Sequence, residues 1–181
     1  MSGGLKILVS GTAGAGKSTA VRAISEIVPV NTDVRNTDPR LAKELTTAGL
    51  DYGELTLDNG SKLHLYGTPG QERFDFMWRV LSRGALGVIL LMDNRRPAPM
   101  QDLDIYLNAF TRAKEHTPCV VAVGHMDAQA LPDLEAYASH LQQRGVLCPV
   151  VATDVRDAAQ VAGLIDLLLL QIDACAQEHT P

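Results

Sequence analysis

The segment Gly11-Thr12-Ala13-Gly14-Ala15-Gly16-Lys17-Ser18 matches the pattern G-x-x-x-x-G-K-S in full. Each part of it has a chemical task. The glycines let the backbone curl so that consecutive N–H groups point inward onto phosphate oxygens. A helix opening near Gly16 aims the positive end of its dipole at the same anion. Lys17 neutralises the outer phosphates, and the Ser18 hydroxyl is a hard oxygen donor that suits Mg²⁺. The chemistry implied is nucleoside polyphosphate binding. By itself the loop leaves kinase, ATPase and GTPase readings open.

Such a loop works only when a strand and a helix hold its two ends. Lys6 to Ser10 reads as the strand, and Lys17 to Val28 as the helix, stopped by Pro29. Asn31 to Gly49 is polar and contains Pro39, with room for one helical turn at Leu41 to Leu45. A hairpin follows: Glu54 to Asp58 alternates, Asn59-Gly60 supplies a type I′ turn, and Lys62 to Tyr66 alternates again. Gly87 to Met92, Cys119 to Val123 and Cys148 to Ala152 are continuous apolar runs, which predict central strands covered on both faces. Helical stretches at Met100 to Glu115, Leu134 to Arg144 and Ala158 to Ala176 fill the gaps. The alternation predicts one α/β domain over residues 1–181. Its sheet is doubly wound, mostly parallel and six-stranded, with one antiparallel edge strand and helices on both faces.

The bulk composition excludes several classes. Of 181 residues, 46% are hydrophobic and only 4% aromatic, so the chain is globular with an aliphatic core. A formal charge of −5 argues against a nucleic-acid-binding surface and against a polybasic membrane anchor. Cys119, Cys148 and Cys175 are odd in number and far apart, as expected of reduced thiols in a cytoplasmic protein. Met1 to Lys6 lacks the features of a signal peptide, and the apolar stretch Leu164 to Leu170 is too short to span a bilayer. Cys175 sits too far from the end for a prenylation box. The expectation is therefore no transmembrane segment and no lipid anchor.

Two further segments narrow the class. Thr47-Ala48-Gly49-Leu50-Asp51-Tyr52 and Tyr66-Gly67-Thr68-Pro69-Gly70-Gln71-Glu72-Arg73-Phe74 resemble the switch regions of Ras-superfamily small GTPases, particularly the Rab type. Those carry T-x-G-x-D-F, a hairpin, then D-T-A-G-Q-E-R-F. The nearest resemblance is to prokaryotic small GTPases encoded beside Roadblock/LC7-domain proteins, including those of conservon clusters. It extends from Leu5 to about Ala176. It implies GTP and GDP as ligands, Mg²⁺ as cofactor, and a Roadblock/LC7-type regulator and effector as partner. The implied catalytic set is Gln71, which orients the attacking water, with Lys17 and Thr47. The implied metal ligands are Ser18 and Thr47. The implied nucleotide-binding set is Gly11, Gly14, Ala15, Gly16, Lys17, Ser18, Thr19, Gly70, His125, Asp127 and Val155. Switch I spans about Val34 to Asp51, and switch II about Gly67 to Val80.

The chain departs from that pattern at three places. Gly67 stands where most small GTPases have the aspartate that holds Mg²⁺ through water, so either Mg²⁺ binds less tightly or another carboxylate, such as Asp93 at the end of the next strand, compensates. The base-reading N-K-x-D becomes Gly124-His125-Met126-Asp127. Asp127 keeps the carboxylate that accepts from guanine N1–H and the N2 amino group, and His125 can stack where lysine would. Ala13 fills a loop position that is often glycine. In Ala152-Thr153-Asp154-Val155-Arg156, the N–H near Val155 would face guanine O6. Phe74, Phe76, Met77, Trp78 and Val80 divide between core and docking surface. Arg35 and Arg40 are the only arginines placed to act as a finger in cis, so turnover is expected to be slow without a partner. Two rivals stand beside the GTPase switch: a nucleotide-loaded scaffold with little hydrolysis, and an ATP-using P-loop enzyme.

Overall fold

Of the three continuous apolar runs expected to form central strands, Gly87 to Met92 and Cys119 to Val123 lie inside the sheet, whereas Cys148 to Ala152 supplies only a short, part-exposed strand at its edge. The computed structural model describes residues 4–30, 33–35, 45–47, 50–111, 117–127 and 129–178, with 33–35, 45–47, 111 and 178 described by backbone alone. Its strands are β1 (Leu5–Gly11), β2 (Asp33–Arg35), β3 (Leu45–Thr47), β4 (Asp51–Thr56), β5 (Lys62–Gly67), β6 (Gly87–Asp93), β7 (Cys119–Gly124) and β8 (Val150–Ala152). Its helices are α1 (Lys17–Ile24), α2 (Asp75–Ser82), α3 (Pro99–Thr111), α4 (Leu134–Gln143) and α5 (Ala158–Glu178). Six strands form one sheet in the order β4-β5-β1-β6-β7-β8, and β2 pairs with β3 in a separate ribbon. All neighbours in the large sheet are parallel except β4 and β5. This is the predicted sheet, with the antiparallel strand at one edge.

The helices divide between the two faces. Ile7, Val9, Leu63, Leu65, Ile89 and Leu91 pack against Val21 of α1 and Leu164, Ile165 and Leu168 of α5. On the other face, Leu8, Val88, Leu90 and Met92 meet Trp78 of α2, Leu103 and Leu107 of α3, and Tyr137 and Leu141 of α4. Every residue of β6 is buried, as its unbroken apolar run demands. By length and composition α5 could cross a membrane, which exceeds the seven-residue run read from the sequence. Its Val161, Leu164, Ile165 and Leu168 are nevertheless buried in the core beside the sheet.

Three local readings are corrected. Helix α1 ends at Ile24, before Pro29, because Ser25 turns to extended backbone. There Ser25 Oγ accepts from the amide of Glu54 (3.2 Å), and Glu26 N donates to Glu54 O (2.7 Å), so the chain is drawn along β4 instead of continuing the helix. The hairpin turn is not type I′, since Gly60 has φ 80° but Asn59 is not left-handed. Instead Gly60 N donates to Leu57 O (2.8 Å) and Leu57 N to Ser61 O (2.9 Å), a turn with a left-handed glycine bulge. Leu45, expected in a helical turn, begins β3. Residues 41–44, 48–49 and 112–116 lie outside the described residues, and so do Arg40 and the side chains of Arg35 and Thr47.

Candidate nucleotide-binding site

The loop between β1 and α1 is built by close approach. Gly11 has φ 135°, a conformation only glycine adopts readily, and a side chain there would overlap the carbonyl oxygen of Leu91. Lys17 is 7% exposed, and its Nζ donates to Gly11 O (2.9 Å) and Thr12 O (2.7 Å), so it folds back over the loop. Ala15 N is used within the loop, donating to Thr12 O (3.1 Å). The amides of Ala13, Gly14 and Gly16 have no acceptor among the described residues. Unpaired main-chain donors beside a cation and a helix N-terminus make an anion cradle.

A cleft of about 510 Å³ opens beside this cradle. Gly14, Ala15, Gly16 and Thr19 of the loop line one side, and His125 and Val155 line the other. Strands β1, β6, β7 and β8 run parallel, so their following loops converge on one end of the sheet, where ligands of such folds bind. Of the predicted nucleotide-binding residues, those six line the cleft, and Asp127 is not among its lining residues. Asp127 Oδ1 accepts from Gln129 N (2.9 Å), an Asx-type closure of its own loop.

A family described as "Conserved hypothetical ATP binding protein" matches residues 40–179, well over half of the chain. The protein Rab-18 of Lymnaea stagnalis is 34% identical over 125 residues, covering 67% of this chain and 56% of the relative. RabC of Dictyostelium discoideum is 25% identical over 178 residues, covering 93% of this chain and 84% of the relative. An uncharacterized protein of Methanocaldococcus jannaschii is 32% identical over 102 residues, 56% of this chain and 58% of the relative. In the first two of the curated relatives it matches best, the chain thus spans little more than half the length. The chain belongs to that family and to the Ras-like small GTPases of the P-loop class.

In this small GTPase, the segment after β5 is anchored against the phosphate loop. Thr68 N donates to Val9 O (2.9 Å), and Thr68 Oγ1 lies 2.8 Å from Ser10 Oγ. Trp78 Nε1 donates to Pro69 O (2.8 Å) and the Tyr106 hydroxyl to Gly70 O (2.9 Å). A side chain at Gly70 would come within 2.7 Å of Ala13 N, so the glycine lies against the phosphate loop. Gln71 follows directly, just before a 3₁₀ turn at Glu72–Phe74. Of the apolar cluster beyond it, Trp78 is 1% exposed and belongs to the core, whereas Phe76 and Val80 are 57% and 60% exposed.

At the far end of the cleft, His125 has φ 58°, a strained value for a non-glycine residue, which turns the chain sharply after β7. Val155 N has no acceptor among the described residues and is free to face a ligand carbonyl. Its neighbour Asp154 is held at a pKa of about 2 by hydrogen bonds from Arg156.

Among the acids near the phosphate loop, Asp93 and Asp51 differ in what they face. Asp93 is bound by its neighbour: Arg95 N and Nε donate to Oδ1 (3.0 and 3.1 Å) and NH2 to Oδ2 (2.9 Å). It pairs in register with Gly124, away from Gly67. The carboxylate at the phosphate loop is Asp51, 2% exposed, which accepts from Ser18 Oγ (2.7 Å). A signal for it existed, since Asp51 lies within the T-x-G-x-D-F run, but no role attached to it there. For a hard cation, a hydroxyl beside a buried carboxylate is a fitting oxygen donor set. Among the described residues, no three His, Cys, Asp or Glu side chains cluster to hold a metal ion alone.

Proposed function

We propose that this chain binds GTP and GDP with Mg²⁺ and slowly hydrolyses GTP, acting as a molecular switch. The observation that carries the reading is the cradle of unpaired amides at Ala13, Gly14 and Gly16, capped by Lys17 and touched by Gly70. The matched family is described by ATP binding, but Rab-type relatives such as "GTP-binding protein ypt2" of Schizosaccharomyces pombe support guanine as the base. A carboxylate at Asp127 and the free Val155 amide supply acceptor and donor for guanine, and adenine would leave that pairing unmet.

In the hydrolytic step, water attacks the γ-phosphorus in line with the leaving oxygen. The loop amides and Lys17 take up the negative charge that develops. Gln71 orients the water. Ser18 and Thr47 are the residues that would hold Mg²⁺, which when bound neutralises phosphate charge. Gly70, pressed against Ala13, offers its N–H to the γ-phosphate, and loss of that phosphate loosens the segment around it. Exposed Phe76 and Val80, one helical turn apart on α2, form the surface that would dock a Roadblock/LC7-type partner in the GTP state.

The test is affinity for GTP, GDP and ATP, with and without Mg²⁺, followed by phosphate release from wild type and Gln71→Leu. We expect guanine preference and slow release that Gln71→Leu reduces by about 10²-fold or more, the scale of losing a positioned water. Preference for ATP would overturn the reading. Guanine binding with no release, even with a partner present, would leave the scaffold alternative.

A further inference from the structure

Two of the three cysteines meet at the end of the sheet remote from the cleft. Cys119 opens β7, whose other end, Gly124, lines the cleft. Strands β7 and β8 run parallel with Val121 opposite Val150, and Val121 N donates to Pro149 O (2.9 Å). The same register carried two residues back sets Cys119 beside Cys148, on one face of the sheet. Both side chains belong to the core on that face, Cys119 with Val121 and Val123, and Cys148 with Val146 and Val150. Neighbouring parallel strands lie about 4.8 Å apart, inside the roughly 4.4–6.8 Å between Cα atoms that a disulfide spans. Cys148 precedes the paired part of β8, and Pro149 has no N–H to donate to Cys119 O. The ladder therefore does not hold Cys148 at full strand spacing.

The two thiols are unequal. Cys119 is 5% exposed, whereas Cys148 is part-exposed, beside the 84% exposed Leu147 at the open edge of the sheet. The hydrogen bond to the Cys148 sulfur and then burial push the Cys119 thiol up, and the same bond holds the Cys148 thiol down. Cys148 is thus the sulfur that ionises first, and the thiolate is the nucleophile. We propose that Cys119 and Cys148 form a thiol modification site, which hydrogen peroxide oxidises to a reversible disulfide with Cys148 as the attacking sulfur. The Cys148 thiolate bonds to one peroxide oxygen, the O–O bond breaks, and the departing hydroxide takes a proton to become water. Cys148 is then a sulfenic acid. The Cys119 sulfur bonds to the Cys148 sulfur, the S–O bond breaks, and the departing hydroxide leaves as water with the Cys119 proton. Two thiols lose two electrons in all, and one peroxide is reduced to two waters. Cys175 lies on α5, which covers the opposite face of the sheet, and takes no part. The site stands apart from the cleft, so the assignment does not depend on nucleotide binding.

The experiment treats the reduced full chain with hydrogen peroxide and reads free thiols, intact mass and linked peptides. Wild type should lose two of its three free thiols, remain a monomer, and yield one linked pair, Cys119 to Cys148, which dithiothreitol reverses. The wild-type peptide map decides the pairing without any substitution of the buried Cys119. Cys119→Ala, folded by circular dichroism, should stop at a Cys148 sulfenic acid that dimedone traps. Cys148→Ala should leave the Cys119 thiol intact. Linkage through Cys175, or Cys148 carried on to sulfinic acid while the Cys119 thiol survives, would overturn the pair. So would survival of both thiols in peroxide sufficient to oxidise free cysteine in the same buffer. A dimedone adduct on Cys119 in Cys148→Ala would overturn Cys148 as the attacking sulfur.

Discussion

At the scale of single residues, charge pairing decides what each acid in this chain can do. Burial pushes the Asp93 carboxyl up, but side-chain and backbone hydrogen bonds from Arg95 outweigh it and hold the group below the usual carboxylate range. A carboxylate with a depressed folded-state pKa contributes stability above its unfolded pKa of about 3.9 and loses it as pH falls through the folded value. Arg95→Ala keeps the backbone N–H but removes the side-chain hydrogen bonds and the charge, so the Asp93 pKa should rise toward its unfolded value, stability near neutral pH should fall, and the part of it lost on acidification should shrink. Urea midpoints measured across the acid range for wild type and Arg95→Ala check this, and superimposable curves would refute it. Asp51 and Asp93 are alike in sequence, each an acid at one end of a strand. They differ in that one faces a serine hydroxyl and the other a guanidinium.

At the scale of elements, the hairpin register decides whether Asp51 reaches the site. A two-residue turn at Asn59-Gly60 would pair Asp58 with Ser61 and set Asp51 opposite Thr68. The observed bulge at Gly60 pairs Thr56 with Lys62 and Asp51 with Gly67 instead. One residue of slip sends a side chain to the other face of the sheet. With the observed register, Asp51 and Gly53 face α1, where a Cβ on Gly53 would meet Val21 and Ser25. Helix α2 is tied to the segment preceding it in a comparable way, through the buried indole of Trp78 on Pro69 O. Trp78→Phe retains most of the ring but leaves that carbonyl without its donor, and should cost about 1 kcal/mol. Urea unfolding and faster amide exchange at Thr68 to Gln71 report it, and unchanged exchange there would show that Trp78 does not restrain the segment.

At the scale of the molecule, two helical layers hold the sheet flat enough for its loops to converge. Helix α5 is the main clamp on one face: Leu168 is fully buried and its Cδ1 lies 2.8 Å from the position a Cβ would take on Gly87 of β6. That contact explains a glycine at the start of the most buried strand. Leu168→Ala should lower the unfolding free energy by about 2–5 kcal/mol, through lost burial and the cavity left behind. A change under about 1 kcal/mol in urea unfolding would mean that the face repacks around the gap. Guanine nucleotide affinity of the folded fraction should be nearly unchanged, because Leu168 is remote from the residues that line the cleft.

The sequence by itself determined the class of fold and the grip on phosphate. Both are written in local codes: apolar runs and alternation for the strands, and contiguous Gly11 to Ser18 for the loop, whose amides and lysine need no distant partner to be recognised. The order of the strands and the division of the helices between the two faces came only with the tertiary structure. Tertiary structure decided what depends on neighbours far apart in the chain. Which acid stands beside Ser18 was settled by a contact between α1 and β4 across thirty-three positions, which has no local signature. Which aromatic of switch II is buried was settled by the docking of α2 on α3, which stacks Trp78 near Tyr106 (4.7 Å between ring centres) and leaves Phe76 outside. Local spacing constrains a few residues at a time, whereas burial and register are set by the whole sheet at once.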